Sequence, residues 1–442
     1  MIIKNFIIFA ILLILANMAF SQIYYNSDEL PEDAATDSIS IKIIKLEIVG
    51  NFKTKEYIIF RELHFNTGDE VDLSEIFLAQ KRLLNLFLFN RVIFDLVGDE
   101  QGLIIIITVA ERWYFFPLPI LYLNERSWSK ISYGAKLLYY NFLGRNILLN
   151  LTTAFGYNPQ LKFSYRNLWF GGKLKLLTNF SVYKSKVRSQ NLNYQEEEDK
   201  RVGFDWLIGR RFGHFFYITA QIGYVEIQHP EITLSPNGKD KLPNLTLSLF
   251  YDNRDLKEYP HCGYNILLWG KKVKSGSLIN YYRYGADIKG YFPITNYSTI
   301  AIRGATNLSH GQIPLYDRVF IGYMERTRGH FYQKYEGENL IMGGVEFRFP
   351  ISKIRYLDLS EFAMPGLADY YRNLKFGVSA GIFYDFGAIW YQHQSLNNKK
   401  HFLYGFGAGL HFHLPYIELF RLELGLDKKF NYEFIAEIGV AF

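Results

Sequence analysis

The sequence predicts a mainly β protein: a 16-stranded antiparallel transmembrane β-barrel preceded by one small β-α-α-β-β domain. Three observations carry this. Aromatic residues are abundant, with 34 Tyr and 38 Phe, yet mean hydropathy is only -0.05, which suits a barrel with an apolar outer face and a polar lumen. From residue 112 onward, short runs alternate apolar and polar residues with the period of two that a strand requires. Past the N-terminus the chain holds no run of about 18 or more apolar residues, the length a membrane helix needs.

Residues 1–21 read as a signal peptide. Lys4 gives the positive start, residues 6–16 the apolar core, and Ala19-Phe20-Ser21 a small-x-small cleavage site, so the mature chain is expected to begin at Gln22. Residues 22–40 are acidic (Asp28, Glu29, Glu32, Asp33, Asp37) and read as a flexible lead. Residues 41–111 form the small domain. Ile41 to Val49 is a strand, 54–63 a short helix, and Asp72 with Glu75 resembles a capping box opening a second helix through Ile76, Leu83, Leu84 and Phe87. Residues 92–97 and 103–109 are two further strands, the last (LIIIITV) apolar enough to be central. Gly50, Gly68 and Gly102 fall at the turns.

Residues 112–442 form the barrel. At about 21 residues per strand and connection, sixteen strands fill this length. They start near Phe116, Ile131, Asn146, Gln160, Lys173, Val202, Phe215, Asn244, Gly263, Tyr281, Ser298, Asn339, Lys375, Phe402, Leu419 and Tyr432. In 146–155, Ile147, Leu149, Leu151 and Phe155 oppose Asn146, Asn150 and Thr152; in 173–183, Leu174, Leu176, Phe180 and Val182 oppose Lys173, Lys175, Asn179 and Ser181. The last strand sets Phe434, Ile438, Val440 and Phe442 against Glu433 and Glu437. Counting strands makes 142–145, 170–172 and 211–214 tight turns on the side of the small domain, with the longer polar stretches opposite. The exception is 352–373, a long connection on the domain side. The acidic run 195–199 reads as a solvated loop tip.

Residues 319–331 hold an arginine-glycine turn, Arg328-Gly329, between aromatics on a long loop. By alternation Asp385 and Phe383 point into the lumen, as does Glu346. Gly377, Gly381, Gly387, Gly405, Gly407 and Gly409 share that inner face and leave a wall with little side-chain bulk. A cation folded into the lumen would fill it, and Arg328 is the candidate for a charge-assisted, bidentate pair with Asp385.

These motifs, in this order, resemble the BamA-type superfamily of outer-membrane assembly and translocation barrels (bacterial surface antigen type) with a single polypeptide-transport-associated (POTRA) domain. Arg328-Gly329 is similar to the Arg-Gly core of the family's sixth surface loop. Residues 343–350 (GGVEFRFP) look like its following strand, and Tyr384-Asp385-Phe386-Gly387 with Trp390 like its aspartate-glycine strand. Asp252-Asn253-Arg254-Asp255 with Pro260 and Gly263 resembles an inner turn of the family, and Phe442 stands where such barrels carry a terminal aromatic assembly signal. Two places depart from the pattern: Thr327 stands where the family usually has valine or isoleucine, and His330 where it has Phe or Tyr.

The resemblance implies a bacterial outer-membrane location with the N-terminal domain in the periplasm. It implies insertion or translocation of polypeptides without a cofactor, a weak seam between first and last strands, and a loop-barrel lock built from Arg328, Gly329, Asp385, Glu346, Phe383 and Gly387. The implied partners are outer-membrane lipid, unfolded or exported polypeptide clients, and accessory periplasmic or outer-membrane proteins. The alternative is a passive pore or a structural subunit of an outer-membrane complex. The net charge of +6 is spread without a basic tract, which argues against nucleic acid. The single Cys262 excludes an intramolecular disulfide and a cysteine-cluster metal site. His411 and His413 share a lumen face but form no ligand set by spacing. No enzyme site emerges.

Overall fold

The computed structural model describes residues 40–99, 102–123, 130–188, 198–229, 231–322, 325–330, 333–364, 366–396 and 401–441. The signal-peptide reading and the lead up to residue 39 therefore lie outside the described residues, as does Phe442.

The small domain contains β1 (Ile41–Val49), α1 (Glu56–Phe60), β2 (Glu70–Val71), α2 (Leu73–Leu84), β3 (Phe89–Asp99) and β4 (Gly102–Glu111). Its sheet runs β2-β1-β4-β3, so β4 is central, parallel to β1 and antiparallel to β3. Along β4, Leu103, Ile105, Ile107 and Val109 bury themselves under the helices with Ile58, Ile59, Ala79 and Leu83. Burying each large aliphatic side chain stabilises by roughly 1.5–3 kcal/mol. Asp72 is the N-cap of α2 by backbone geometry, but its side chain makes no capping hydrogen bond. Phe87 lies beyond that helix at φ +57°, in the turn into β3.

The second sheet has sixteen strands. They are β5 (Phe115–Leu123), β6 (Ile131–Phe142), β7 (Ile147–Gly156), β8 (Gln160–Phe170), β9 (Leu176–Arg188), β10 (Glu198–Phe212), β11 (Phe216–Gln228), β12 (Lys239–Asp252), β13 (Gly263–Ser275), β14 (Ile279–Pro293) and β15 (Thr299–Gly311). After a small hairpin of β16 (Val319–Ile321) and β17 (Tyr335–Gly337) come β18 (Asn339–Leu357), β19 (Leu374–Trp390), β20 (Phe402–Leu414), β21 (Ile417–Asp427) and β22 (Tyr432–Ile438). Neighbours in sequence are neighbours in the sheet, all antiparallel, with β15 beside β18. Outward residues such as Phe204, Trp206 and Ile208 alternate with half-buried inward ones, the arrangement of a barrel between lipid and lumen. Among the described residues no ladder joins β22 to β5, so the sheet ends in two edges.

Two sequence expectations are corrected locally. The strand expected from Lys173 begins at Leu176, because Gly172–Leu174 forms a 3-10 turn and Lys175 takes φ +51°, which ends any alternation there. The acidic run is not all loop tip: residues 195–197 lie outside the described residues, whereas Glu198 and Asp199 start β10 and Asp199 is buried beside His229 and Arg201.

The small domain sits on the barrel turns at one end. Arg211, next to the β10–β11 turn, gives two hydrogen bonds to Glu62, at 3.1 and 2.9 Å. The Lys55 N–H donates to the Gly144 carbonyl in the β6–β7 turn. The Asn85 side chain donates to the Asp255 carbonyl and accepts from the Lys257 N–H in the β12–β13 turn. The long connection after β18 also belongs here. Its 3-10 turns at Ser360–Phe362 and Ala368–Tyr371 bring Tyr370 beside Trp113, under Lys53, with Asn373 accepting from Arg91.

Candidate functional site: an arginine buried in the barrel lumen

The loop between β15 and β18 folds back into the lumen and places Arg328 against three strands. Its Nε and Nη2 donate to Asp385 Oδ2 and Oδ1 on β19 at 2.7 and 2.8 Å, a bidentate pair. Nη1 donates to Glu346 Oε2 on β18 at 2.5 Å and to Glu423 Oε1 on β21 at 2.9 Å. The guanidinium carbon lies 3.6 Å from the centre of the Phe383 ring, so the planar cation is stacked as well as bonded. Arg328 is only 4 % exposed and Glu346 is 0 %.

The wall was built for this approach. A Cβ at Gly405 would lie 1.6 Å from the Arg328 carbonyl oxygen, and one at Gly425 would lie 2.7 Å from the Gly329 nitrogen. Gly329 itself sits at φ +93°, in the left-handed region that a side chain disfavours, with Leu426 against it. Gly387 faces the Thr327 hydroxyl, which lies 2.7 Å from an ideal Cβ at that glycine. His330, the second departure from the family pattern, is buried beside Tyr335 and Gln333.

The charges balance across a larger network. Arg348 Nε bonds Glu346 at 2.6 Å, and Arg421 Nη1 bonds Glu423 at 2.8 Å. Three buried arginines thus meet Asp385, Glu346 and Glu423, and no single charge is left uncompensated. The network continues to the last strand. Arg421 Nη2 and Arg326 Nη1 bond the two oxygens of Glu437 on β22, at 3.0 and 2.6 Å. Arg421 Nε also donates to the Gly439 carbonyl at 2.6 Å, where the chain turns inward and carries Ala441 onto Tyr291 and Ala301.

The sequence singled out Arg328, Gly329, Asp385, Glu346, Phe383 and Gly387, and the fold brings all six together; Phe442 lies outside the described residues. Sequence reasoning missed Glu423, Arg421 and Arg348, although all three stand at inward positions of their strands. His411 and His413 are buried in the same wall. Glu346, His411 and Glu423 bring ligand-type atoms within 4.8 Å of one another. Arg328 bonds both of these carboxylates, so a side-chain cation holds that position. The β12–β13 turn reaches the same wall from the domain end: Tyr259 places its hydroxyl 2.9 Å from His411 Nδ1, under Arg348.

Comparison with known proteins agrees with this geometry. Residues 141–442, more than half of the chain, match the model of the Omp85 superfamily domain. The outer membrane protein assembly factor BamA of Neorickettsia risticii (strain Illinois) is 25% identical over 271 residues, which span 59% of this chain and 36% of that protein. The chain therefore spans about a third of the length of that relative. Among solved structures, BamA from Haemophilus ducreyi lacking POTRA domains 1–3 superposes with a TM-score of 0.53 at 18% identity, over 90% of this chain and 83% of that one. CdiB from Acinetobacter baumannii gives 0.50 at 12% identity, over 89% and 72%. These two likenesses concern the fold. With an open-seamed sixteen-stranded sheet, an Arg-Gly loop seated on an Asp-Gly strand, and a family match across the whole barrel after its first strand pair, this chain belongs to the Omp85 superfamily.

Proposed function

We propose that this protein inserts polypeptides into the bacterial outer membrane or translocates them across it, with residues 112–442 as the membrane barrel and residues 41–111 as a POTRA-like periplasmic domain. The observation that carries the reading is the seam. A barrel normally abolishes its edges by closing, whereas here, among the described residues, no ladder joins β5 to β22. An extended client could add to such an edge by β-augmentation. The buried Arg328 network then has a clear use. It holds β18, β19 and β21 to the loop, so the wall beside the seam stays rigid while the seam itself is free to move. The similarity to an outer membrane protein assembly factor supports the same reading. The chemistry asks for no cofactor, only backbone pairing and apolar burial.

The test is depletion of the protein in its own bacterium, followed by quantitative proteomics of the outer membrane and the medium. Loss of several outer-membrane proteins is the outcome expected for insertion, and loss of one exported substrate for translocation. An unchanged set of polypeptides in both fractions would overturn the reading in favour of a structural or pore role.

A further inference from the structure

The outward face of the barrel changes character abruptly on β9 to β12, at the end away from the small domain. On β10 the residues turned outward run Arg210, Ile208, Trp206, Phe204, Val202 and Lys200. The steps from Arg210 to Lys200 span about 33 Å along the strand, and a tilt of about 40° makes that about 25 Å of height, the thickness of the apolar band of an outer-membrane barrel. Lys200 therefore marks the far boundary of that band.

The neighbouring strands change at the same height. Phe163, Val182, Phe204, Tyr224 and Pro243 stand side by side across β8 to β12. One step up, about 7 Å along the strands, the same line reads Leu161, Lys184, Val202, Glu226 and Lys241. A further step up, β9 to β12 contribute Lys186, Lys200, Gln228 and Lys239. All five lysines are exposed, and Glu226 is the one carboxylate in these two rows.

Partners within the chain do not explain this charge. Lys186 lies directly opposite Lys200 in the ladder, where like charges repel. Among the described residues none of the five lysines takes part in an ion pair. The acids nearest in sequence are already engaged. Glu198, one step above, pairs with Arg188 at 3.3 Å, and Asp199 on the lumen face pairs with Arg201 at 2.6 Å. These strands are the fifth to eighth of the sixteen-stranded sheet, the part of the wall farthest from both its ends.

We propose that Lys184, Lys186, Lys200, Lys239 and Lys241 form a binding belt for a multiply phosphorylated lipid in the leaflet facing away from the small domain. Its phosphates lie against the lysines, which bind phosphate as point charges. Its acyl chains run down over Val182, Phe204 and Tyr224. Two features select this ligand. The two rows of lysines give separate places to two phosphates, so a lipid with one phosphate neutralises only part of the belt. The apolar row directly below takes the chains, so an anion without chains gains the charge contacts alone. The belt fixes the height of the barrel in the membrane at the wall farthest from the ends of the sheet. The choice of leaflet rests on reading residues 112–442 as a membrane barrel, not on what the barrel transports.

The test uses the full chain in a neutral detergent, titrated with diphosphoryl lipid A and followed by native mass spectrometry. The parent should bind it at least about tenfold more tightly than dipalmitoyl phosphatidylglycerol, which carries one phosphate, and than the deacylated headgroup that keeps both phosphates. Lys184→Gln, Lys186→Gln and Lys200→Gln together should weaken lipid A binding about a hundredfold, since each lysine at an anionic lipid surface contributes roughly fivefold. Lys428→Gln with Lys429→Gln, exposed in the β21–β22 turn at the same end of the barrel, should leave it within about twofold. Arginine at the three belt positions should retain binding, and unchanged heat-modified gel mobility reports an intact fold. Parent-like binding by the glutamine variant, or an equal loss in the β21–β22 turn variant, would overturn the belt. Equal binding of the deacylated headgroup would overturn the lipid assignment in favour of a soluble polyanion. No client enters these titrations, so their failure and that of the depletion experiment are distinguishable.

Discussion

Removing Arg328 is the sharpest perturbation of the lumen site. The side chain bonds three carboxylates and stacks on Phe383, and its loss leaves Asp385, Glu346 and Glu423 with only Arg348 and Arg421 to balance them. Breaking one side of a buried pair costs about 3–5 kcal/mol, because the remaining charge is stranded away from water. Arg328→Ala should fall in that range, and Asp385→Ala near its lower end, since Arg328 keeps two other partners. In the double variant the second change removes a charge that the first had stranded. The combined loss should therefore sit below the sum by about 2–3 kcal/mol, the upper range for residues in direct contact. The assay is a double-mutant cycle on urea unfolding in detergent, with heat-modified gel mobility as the fold check. Strictly additive losses would refute the argument, because they would mean that each side chain acts on the barrel without the other.

Three further predictions follow from other parts of the structure. Gly405→Ala puts a methyl group where the Arg328 carbonyl now lies, so it should unseat the loop and destabilise the barrel by about 1–3 kcal/mol, as overpacking does; a thermal melt equal to the parent's would contradict the close approach. The contact between the small domain and the barrel should weaken in acid. Burial, the stacked His64 ring and Arg211 push His214 down to about 4 from 6.5. Burial resists ionisation of Glu62, but Arg211 and Arg61 more than offset it and hold that carboxyl below its usual 4.5. The docked state thus binds fewer protons than the released one, so docking is strongest above pH 6.5, declines toward pH 4 as the histidine charges, and falls further as Glu62 is protonated. Limited proteolysis between domain and barrel, followed against pH, should rise over that window, and a flat profile would count against the contact. Finally, exchanging the charges in Glu62→Arg with Arg211→Glu should restore part of the protease resistance that either single change removes; a double variant no better than the singles would show that the pair does not hold the domain.

How much of this was legible beforehand follows from what each pattern encodes. Period-two alternation in segments such as 146–155 fixes which side chains face lipid, and it needs no partner strand to do so. That is why the barrel, its strand number and the inward direction of Asp385, Phe383 and Glu346 could be read directly. The β-α-α-β-β order of the small domain followed from period and turn residues in the same way. Alternation says nothing about which inward residues meet across the lumen, since that depends on the register and stagger of strands far apart in sequence. Glu423 could be placed on the inner face, but only the loop folded into the lumen brings Arg328 to it. The salt link of Glu62 to Arg211 was hidden for the same reason, because it joins a residue just past α1 to the end of β10, 149 residues away. At Lys173 a local rule was overridden, as Gly171, Gly172 and Lys175, all at positive φ, close a tight turn before the strand can start.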